Sequence, residues 1–384
     1  MKDIGEKNVN KKDVVLHVLE PEPEGTIGGA DMHVLELAKF QNLNTKFKAV
    51  VFINQNHVFA DLLRKNGVEY IFFERKKGFF KHVFEFIKWL ADNPVSIMHG
   101  HGYDANYIIF LAKTLSRDTK HIPVVMTCHG WIKNNFINTL KTYLDYIAIS
   151  IADSLIYVSE NIVSNRLNKG KQFTYIPNSV FERKTDEYVD IYNYFKIEKK
   201  KNIIGYIGRL SSEKRIDILL RSCAEIIKSH TNICFLIIGN GSEVKKLHSL
   251  AKKLNITEQV IFAGLILDSN IIANVYQQIN FLVQTSDTET TSRVVLEAMS
   301  AKKAVIATNV GGMKQLIQHR KSGFLVKKGD YQTIAKYCIK LIEDPELTRE
   351  FGEKSYQLYN KKFTMEKEAS STEEVYDSTL LLYK

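Results

Sequence analysis

A chain of 384 residues is too long for one small core and fits two domains of ordinary size. Hydrophobic residues at 45% and charged residues at 25% describe a globular protein able to bury sizeable cores, which excludes a disordered chain. A formal charge of +10 leaves an anionic membrane surface or an acidic substrate as partners and argues against nucleic acid, because the lysines spread over many helices and no helix-turn-helix, RNP-like strand or zinc spacing accompanies them.

The opening MKDIGEKNVNKKD is polar, and no run of roughly eighteen apolar residues occurs anywhere, so the sequence predicts a cytoplasmic chain that does not span a bilayer. Strands are then predicted at 14–19, 49–53, 70–73, 96–99, 124–128, 155–158 and 174–177, with helices after Gly28, at 58–65 and across the aromatic stretch 79–92. Such alternation predicts a parallel sheet with helices on both faces. In the aromatic helix, Phe80, Val83, Phe84, Ile87 and Ala91 make one apolar stripe and Phe79, Phe86 and Trp89 a second. One stripe suffices to pack on a sheet. The second, with Arg75, Lys76 and Lys77 before it, gives 75–90 the character of an interfacial membrane anchor, unless both stripes are buried. The charged residues 181–201 break the rhythm and are read as a linker. A second set of strands follows near 203–207, 234–238, 260–263, 281–284, 304–307 and 324–326, then helices at 332–343 and 346–360 and a long helical pattern after Phe363. The four cysteines, Cys128, Cys223, Cys234 and Cys338, have no C-x-x-C or metal spacing and fit reduced thiols in a cytosol.

The chemistry concentrates at strand ends of the second half. IIGYIGRLSSEKRID (203–217) runs from a strand through a glycine turn and sets Arg209 and Lys214 in one loop, where a planar fork and a point charge together suit a diphosphate. CFLIIGNGSE (234–243), with Gly239, and AVIATNVGG (304–312) repeat the strand-then-glycine pattern, which lets backbone approach a ligand. In TSDTETTSRVVLEAMS, a polar loop at 285–292 holds Glu289 and a helix at 293–301 holds Glu297. A loop entering a helix after a parallel strand suits a phosphate, which carboxylates would repel. The two acids are therefore assigned to sugar hydroxyls on either side of a diphosphate, the other reading being a solvated cap and an ordinary surface glutamate. The run Ser286, Asp287, Thr288, Glu289 lies in the wrong context for a metal-binding acidic motif, so metal-independent chemistry is predicted. His129 ends a strand, and His99 and His101 follow another.

These motifs resemble a family 4 glycosyltransferase of the GT-B fold, in that family's order and over nearly the whole chain: GRLSSEK, LIIGNGSE, the Glu289 to Glu297 pair, LEAMSAKKAVIATNVGG and SGFLV in the second half; IGGADMHVLELAK (27–39), HGHGY (99–103), VVMTCHG (124–130), ADSLIYVSE (152–160) and YIPNSV (175–180) in the first. The resemblance implies an α/β architecture of two Rossmann-like doubly wound parallel-sheet domains facing across a cleft: 1–185, binding the acceptor, with 364–384 crossing back to it, and 186–363, binding the nucleotide sugar. Arg209 and Lys214 would then hold the donor diphosphate, Glu297 the ribose hydroxyls, and Glu289 would face the transferred sugar as a stabiliser. Gly239, Thr290 and Thr291 would complete the donor loops, with Gly28 and Gly29 opposite them. His129 would line the reaction centre, and His99 and His101 would line the acceptor side or cap the sheet. Where the family commonly reads Glu-Gly-Phe-Pro, this chain has Glu289, Thr290, Thr291 and Ser292, which bears on sugar identity. The implied activity is retaining transfer of a hexose or N-acetylhexosamine from a nucleoside diphosphate sugar, UDP-linked by default, without metal or cofactor. The acceptor expected is a saccharide or lipid-linked saccharide of envelope, exopolysaccharide or glycolipid synthesis, made by a cytoplasmic enzyme peripheral on the inner face of the membrane. A soluble metabolite or peptide acceptor, a GT-B-like epimerase and a non-catalytic nucleotide-binding protein are the alternatives.

Overall fold

The computed structural model describes residues 12–21, 27–54, 56–73, 78–130, 136–162 and 171–383. Arg75, Lys76 and Lys77 of the expected membrane anchor lie outside the described residues. The chain divides into two compact units, Met1–Pro177 with Met365–Lys384, and Asn178–Thr364.

The first unit alternates strands and helices: β1 (Asp13–Leu19), α1 (Gly29–Asn44), β2 (Phe47–Asn54), α2 (His57–Lys65), β3 (Glu69–Phe73), α3 (Phe79–Asp92), β4 (Ile97–His101), α4 (Tyr103–Leu115), β5 (Val124–Cys128), α5 (Phe136–Ile149), β6 (Ser154–Tyr157) and β7 (Gln172–Tyr175). They form one parallel sheet in the order β3-β2-β1-β4-β5-β6-β7. Both faces of its central strands are covered, which is why they read as unbroken apolar runs rather than alternating ones. Leu16, Phe52, Met98 and Met126 pack under Phe86, Leu90, Ile109 and Ile149 on one face. On the other, Ala49, Val51 and Ile53 meet Val34, Leu35 and Phe59.

In the second unit α6 (Ile191–Tyr194), β8 (Asn202–Ile207), α7 (Ile216–Ile226), β9 (Ile233–Ile238), α8 (Val244–Lys253), β10 (Val260–Gly264) and α9 (Ser269–Gln278) lead to β11 (Phe281–Gln284). α10 (Arg293–Ser300), β12 (Ala304–Thr308), α11 (Met313–Leu316), β13 (Gly323–Val326), α12 (Tyr331–Glu343) and α13 (Pro345–Lys362) complete it. Its parallel sheet runs β10-β9-β8-β11-β12-β13. The last helix, α14 (Met365–Leu381), belongs to the first unit. There Val375 and Tyr376 join the core of Val15, Phe47, Ile97, Val125 and Ile156.

Three expectations are corrected. Residues 181–201 are not a linker, since the units divide at Pro177/Asn178 and this stretch is strapped onto α9. Val180 and Ile191 are fully buried, and the amide side chains of Asn270, Asn274 and Gln278 accept from the backbone of Asp186, Glu187, Val189 and Ile191 at 3.0–3.2 Å. Most of its charged residues occupy the outward positions, with Arg183 turned inward. The strand expected at 96–99 runs on to His101, so His99 and His101 lie within β4 rather than after it. In α3 the side facing the sheet is His82, Val83, Phe86 and Leu90, whereas Phe80 (66% exposed) and Phe84 (59%) point outward. Phe86 sits 4.6 Å ring to ring from Phe52; that contact selects which stripe is buried. Among the described residues no helix is long and apolar enough to cross a membrane.

Candidate functional site

Two loops of the second unit, after β8 and after β11, are clasped together. Thr285 Oγ1 donates to the Lys214 carbonyl at 2.9 Å, and the Asp287 amide donates to the Glu213 carbonyl at 2.8 Å. Arg215 turns the first loop in a left-handed conformation (φ 50) and reaches Asp287 at 3.3 Å. This clasp brings Lys214 Nζ within 2.6 Å of Glu289 Oε1, which also accepts from Ser286 Oγ at 2.8 Å. Arg209 stands exposed at the head of the same loop, its carbonyl accepting from Tyr206 Oη at 3.2 Å.

The glycines at these strand ends allow two loops to approach closely. A Cβ on Gly239 (φ +140) would stand 1.9 Å from the Gly208 carbonyl oxygen, and one on Gly311 (φ +49) would stand 1.5 Å from that of Glu289. Backbone meets backbone there, loop against loop. The Gly312 amide donates to the Thr290 carbonyl at 2.9 Å, so the 311–312 turn is the floor on which Glu289 and Thr290 rest. Thr291 follows, and Ser292 caps α10 without a side-chain capping bond.

Glu297, one turn into α10, is buried in a separate network. Its Oε1 accepts from Arg183 Nη2 at 2.5 Å and lies 3.0 Å from Arg293 Nε, while Oε2 accepts from Tyr276 Oη at 2.8 Å. Burial pushes the carboxyl pKa up, but the two guanidinium groups and these hydrogen bonds outweigh it and hold the group below its ordinary value. Burial, with Glu297 adding to it, pushes the Tyr276 phenol well above its usual value, keeping it a neutral donor. Arg183, Arg293 and Tyr276 were missed in the sequence. The spacing of Arg293 and Glu297 on one helix face could have shown the first contact; nothing local links residues 183 or 276 to 297.

The remaining sequence-derived residues belong to the first unit. Gly28 caps α1, its amide donating to Asp31 Oδ2 at 2.7 Å, and Gly29 is the first helical residue. His129 follows β5 and packs against His33 and His101, with ring centroids 5.1 and 5.8 Å away. His99 is fully buried and has both ring nitrogens engaged, by Tyr376 Oη at 2.6 Å and Thr127 Oγ1 at 2.7 Å. Its neighbour His17 shares a register position with it across β1 and β4. Burial lowers the pKa of His17 to about 4 and of His129 to about 3, so both rings are neutral at physiological pH. The structure thus brings Lys214 and Glu289 into contact, keeps Arg209 at the head of the Lys214 loop, packs Gly239 against Gly208, and gathers the histidines into a cluster of their own. Among the described residues, the groupings with metal-ligand proximity are His17, His99 and His101, and His33, His101 and His129.

Residues 27–181 match the family model described as Glycosyltransferase Family 4, and residues 191–358 match Glycosyl transferases group 1. The chain is similar to N-acetyl-alpha-D-glucosaminyl L-malate synthase of Bacillus anthracis, at 26% identity over 297 residues covering 74% of this chain and 75% of that protein. It is also similar to the capsular polysaccharide biosynthesis glycosyltransferase CapM of Staphylococcus aureus, at 27% over 249 residues, covering 62% and 64%. Among solved structures, Anabaena HepE in complex with UDP-glucose superposes with a TM-score of 0.81 at 20% identity, over 95% of this chain and 99% of that one. At that identity the likeness is one of fold.

Proposed function

The chain belongs to the family 4 glycosyltransferases and has their GT-B fold, and from that premise we propose that it moves a hexose or N-acetylhexosamine from a nucleoside diphosphate sugar, UDP-linked by preference, to an acceptor hydroxyl with retention of anomeric configuration. The observation that carries this reading is the clasp holding Lys214 Nζ 2.6 Å from Glu289 Oε1. It sets a cation and a carboxylate side by side, as a group that is anionic at its diphosphate and hydroxyl-bearing at its sugar requires.

Departure of the nucleotide develops negative charge on the leaving phosphate and positive charge at the anomeric carbon. Lys214 and Arg209 stabilise the first, helped by the positive end of α10. Glu289 accepts hydrogen bonds from the sugar and stabilises the second. A carboxylate offers about four lone-pair positions; Glu297 uses three, on Arg183, Arg293 and Tyr276, leaving one for a ribose hydroxyl. In the retaining mode the acceptor attacks from the leaving-group side and the departing phosphate takes its proton. His129, a neutral ring, is the residue that the family resemblance assigns to the reaction centre. With two side-chain cations serving the diphosphate, the transfer needs no metal ion.

The acceptor we favour is a saccharide or lipid-linked saccharide of the cell envelope, met at the inner surface of the membrane. Two faces of the first unit support it: Phe80 and Phe84 on α3, and Leu140, Tyr143, Leu144 and Ile147 on α5, which share one helical face and are 47–61% exposed. Lys81, Lys88 and Lys141 flank them, so the complementary surface is anionic lipid. CapM, a capsular polysaccharide enzyme by name, supports the same class.

The test is Lys214→Ala, assayed for transfer or slow hydrolysis over a panel of nucleotide sugars with and without EDTA. Loss of one charge-stabilising donor lowers kcat about 100- to 1,000-fold, and chelator does not lower the native rate. Near-native turnover in the variant removes Lys214 from the diphosphate site and the reading with it.

A further inference from the structure

The histidine cluster of the first unit contains three buried ring nitrogens, two of them on residues that the proposed transfer does not use. His33 Nδ1 on α1, His101 Nδ1 at the end of β4 and His129 Nε2 just after β5 are each shielded from solvent and have no hydrogen-bond partner among the described residues. One orphan of this kind costs about 1–3 kcal/mol; three from one cluster call for a shared occupant. One ring nitrogen of each of these residues lies within 4.8 Å of those of the other two.

The bonds behind them settle what two of the orphans are. Gln41 Oε1 can only accept, so His17 Nε2 donates to it at 2.8 Å, and His17 Nδ1 is a lone pair. That lone pair accepts from His101 Nε2 at 2.9 Å. His101 Nδ1 is therefore itself a lone pair. His33 Nε2 is held by the Glu368 carboxylate of α14, and with that ring neutral, as metal binding requires, His33 Nδ1 is the second. Two Lewis bases, each oriented by a chain of hydrogen bonds, meet a third imidazole, and one of them carries the carboxylate-histidine arrangement that positions metal ligands.

We propose that His33 Nδ1, His101 Nδ1 and His129 Nε2 bind a divalent transition-metal ion of the zinc class. Imidazole is the ligand such ions share, and three rings with an open fourth position suit tetrahedral zinc, whereas calcium or magnesium would require oxygens. Nitrogens about 2.0–2.1 Å from the metal stand about 3.3 Å from one another, which a modest closure of the cluster achieves. The bound ion links α1, β4, β5 and, through Glu368, α14. It also occupies His129. On the proposed reading of that residue, which this one consequence rests on, zinc slows glycosyl transfer.

The experiment titrates EDTA-stripped, full-length protein with zinc chloride by calorimetry and records zinc-edge X-ray absorption on the one-to-one mixture. The expected result is one ion per chain, with a nitrogen shell at about 2.0–2.1 Å and the scattering of three imidazoles. Glu368→Gln, which touches no metal, weakens binding about 10- to 100-fold while leaving the stoichiometry unchanged. His230→Gln, in the second unit, leaves both unchanged. Uptake no tighter than scattered surface binding, or a shell with fewer than three imidazoles, overturns the site; the absorption measurement needs no variant, so misfolding cannot mask that outcome. Zinc uptake in a protein that transfers no sugar refutes the functional reading alone, and transfer by a protein that takes up no zinc refutes the metal site alone.

Discussion

Replacing Gly311 with alanine isolates how the Glu289 loop is held. The residue sits at φ +49, and its new Cβ would lie 1.5 Å from the Glu289 carbonyl oxygen and 2.7 Å from the carbonyl carbon, where ordinary contact begins at 3.4 Å. The loop must therefore retreat by about 1.9 Å or the turn must unwind. Left-handed backbone alone costs an alanine about 1–2 kcal/mol. Gly329→Ala is the matched control, with φ +75 and nothing within 4 Å of its Cβ, so it pays the strain without the collision. For a unit of this size each kcal/mol lowers Tm by about 2–4 °C. Gly329→Ala should thus lose about 2–8 °C and keep its activity, while Gly311→Ala loses more. A displacement of about 1 Å at a reacting group costs on the order of 100-fold in rate, so Gly311→Ala should lose at least that in kcat on the nucleotide sugar. Thermal melts and initial rates on both variants decide it. If Gly311→Ala shows only the control's Tm loss with native kcat, the 311–312 turn does not position Glu289.

Glu297→Gln leaves Arg183 and Arg293 buried against a neutral amide and should cost about 3–5 kcal/mol at neutral pH. Because the folded carboxyl titrates below its ordinary value of 4.5, its contribution is complete above that pH and is lost as pH falls through the folded value; the gap in Tm between native protein and variant should narrow on acidification, and a constant gap would contradict the ion-pair account. Phe80→Glu with Phe84→Glu should abolish sedimentation with vesicles of anionic lipid while leaving Tm within about 4 °C, since each exposed substitution changes stability by about 0.5 kcal/mol or less; undiminished sedimentation would remove α3 from the membrane surface.

Almost every strand was legible because a parallel sheet covered on both faces demands an unbroken apolar run, and each run here closes on glycine or a polar turn. Lys214 and Glu289 were legible for a related reason: residues that follow parallel strands gather at one edge of the sheet, so two loops after adjacent strands must meet. Arg183 and Tyr276 obey no such rule. Arg183 reaches Glu297 because the charged stretch behind it is pinned by three amide side chains on α9, a pairing between segments some 85 residues apart with no periodicity to announce it. In α3 the helical period yields two apolar stripes of equal merit, and only the position of Phe52 on the sheet decides that Phe86 turns inward and Phe80 and Phe84 outward. The histidine cluster draws on α1, β1, β4, the loop after β5 and α14, and no single segment carries more than two of its members.

The two glutamates read from the sequence as one pair, but their surroundings give them different work. Glu289 is held by a single lysine and a serine hydroxyl, at side-chain exposures of 24% for Lys214 and 12% for Glu289. On the proposed reading a diphosphate competes for Lys214 with its own charge, and the released carboxylate is then available to a sugar hydroxyl. Glu297 cannot be released in this way, because two guanidinium groups and a phenol hold it in a buried setting where separating partners costs several kcal/mol. It therefore fixes the start of α10, and with it the direction of the helix dipole, before any ligand arrives. On the proposed reading, binding reorganises the Lys214 to Glu289 contact and leaves the Glu297 network in place, so substitutions at Glu289 should fall on turnover and substitutions at Glu297 on both stability and nucleotide affinity.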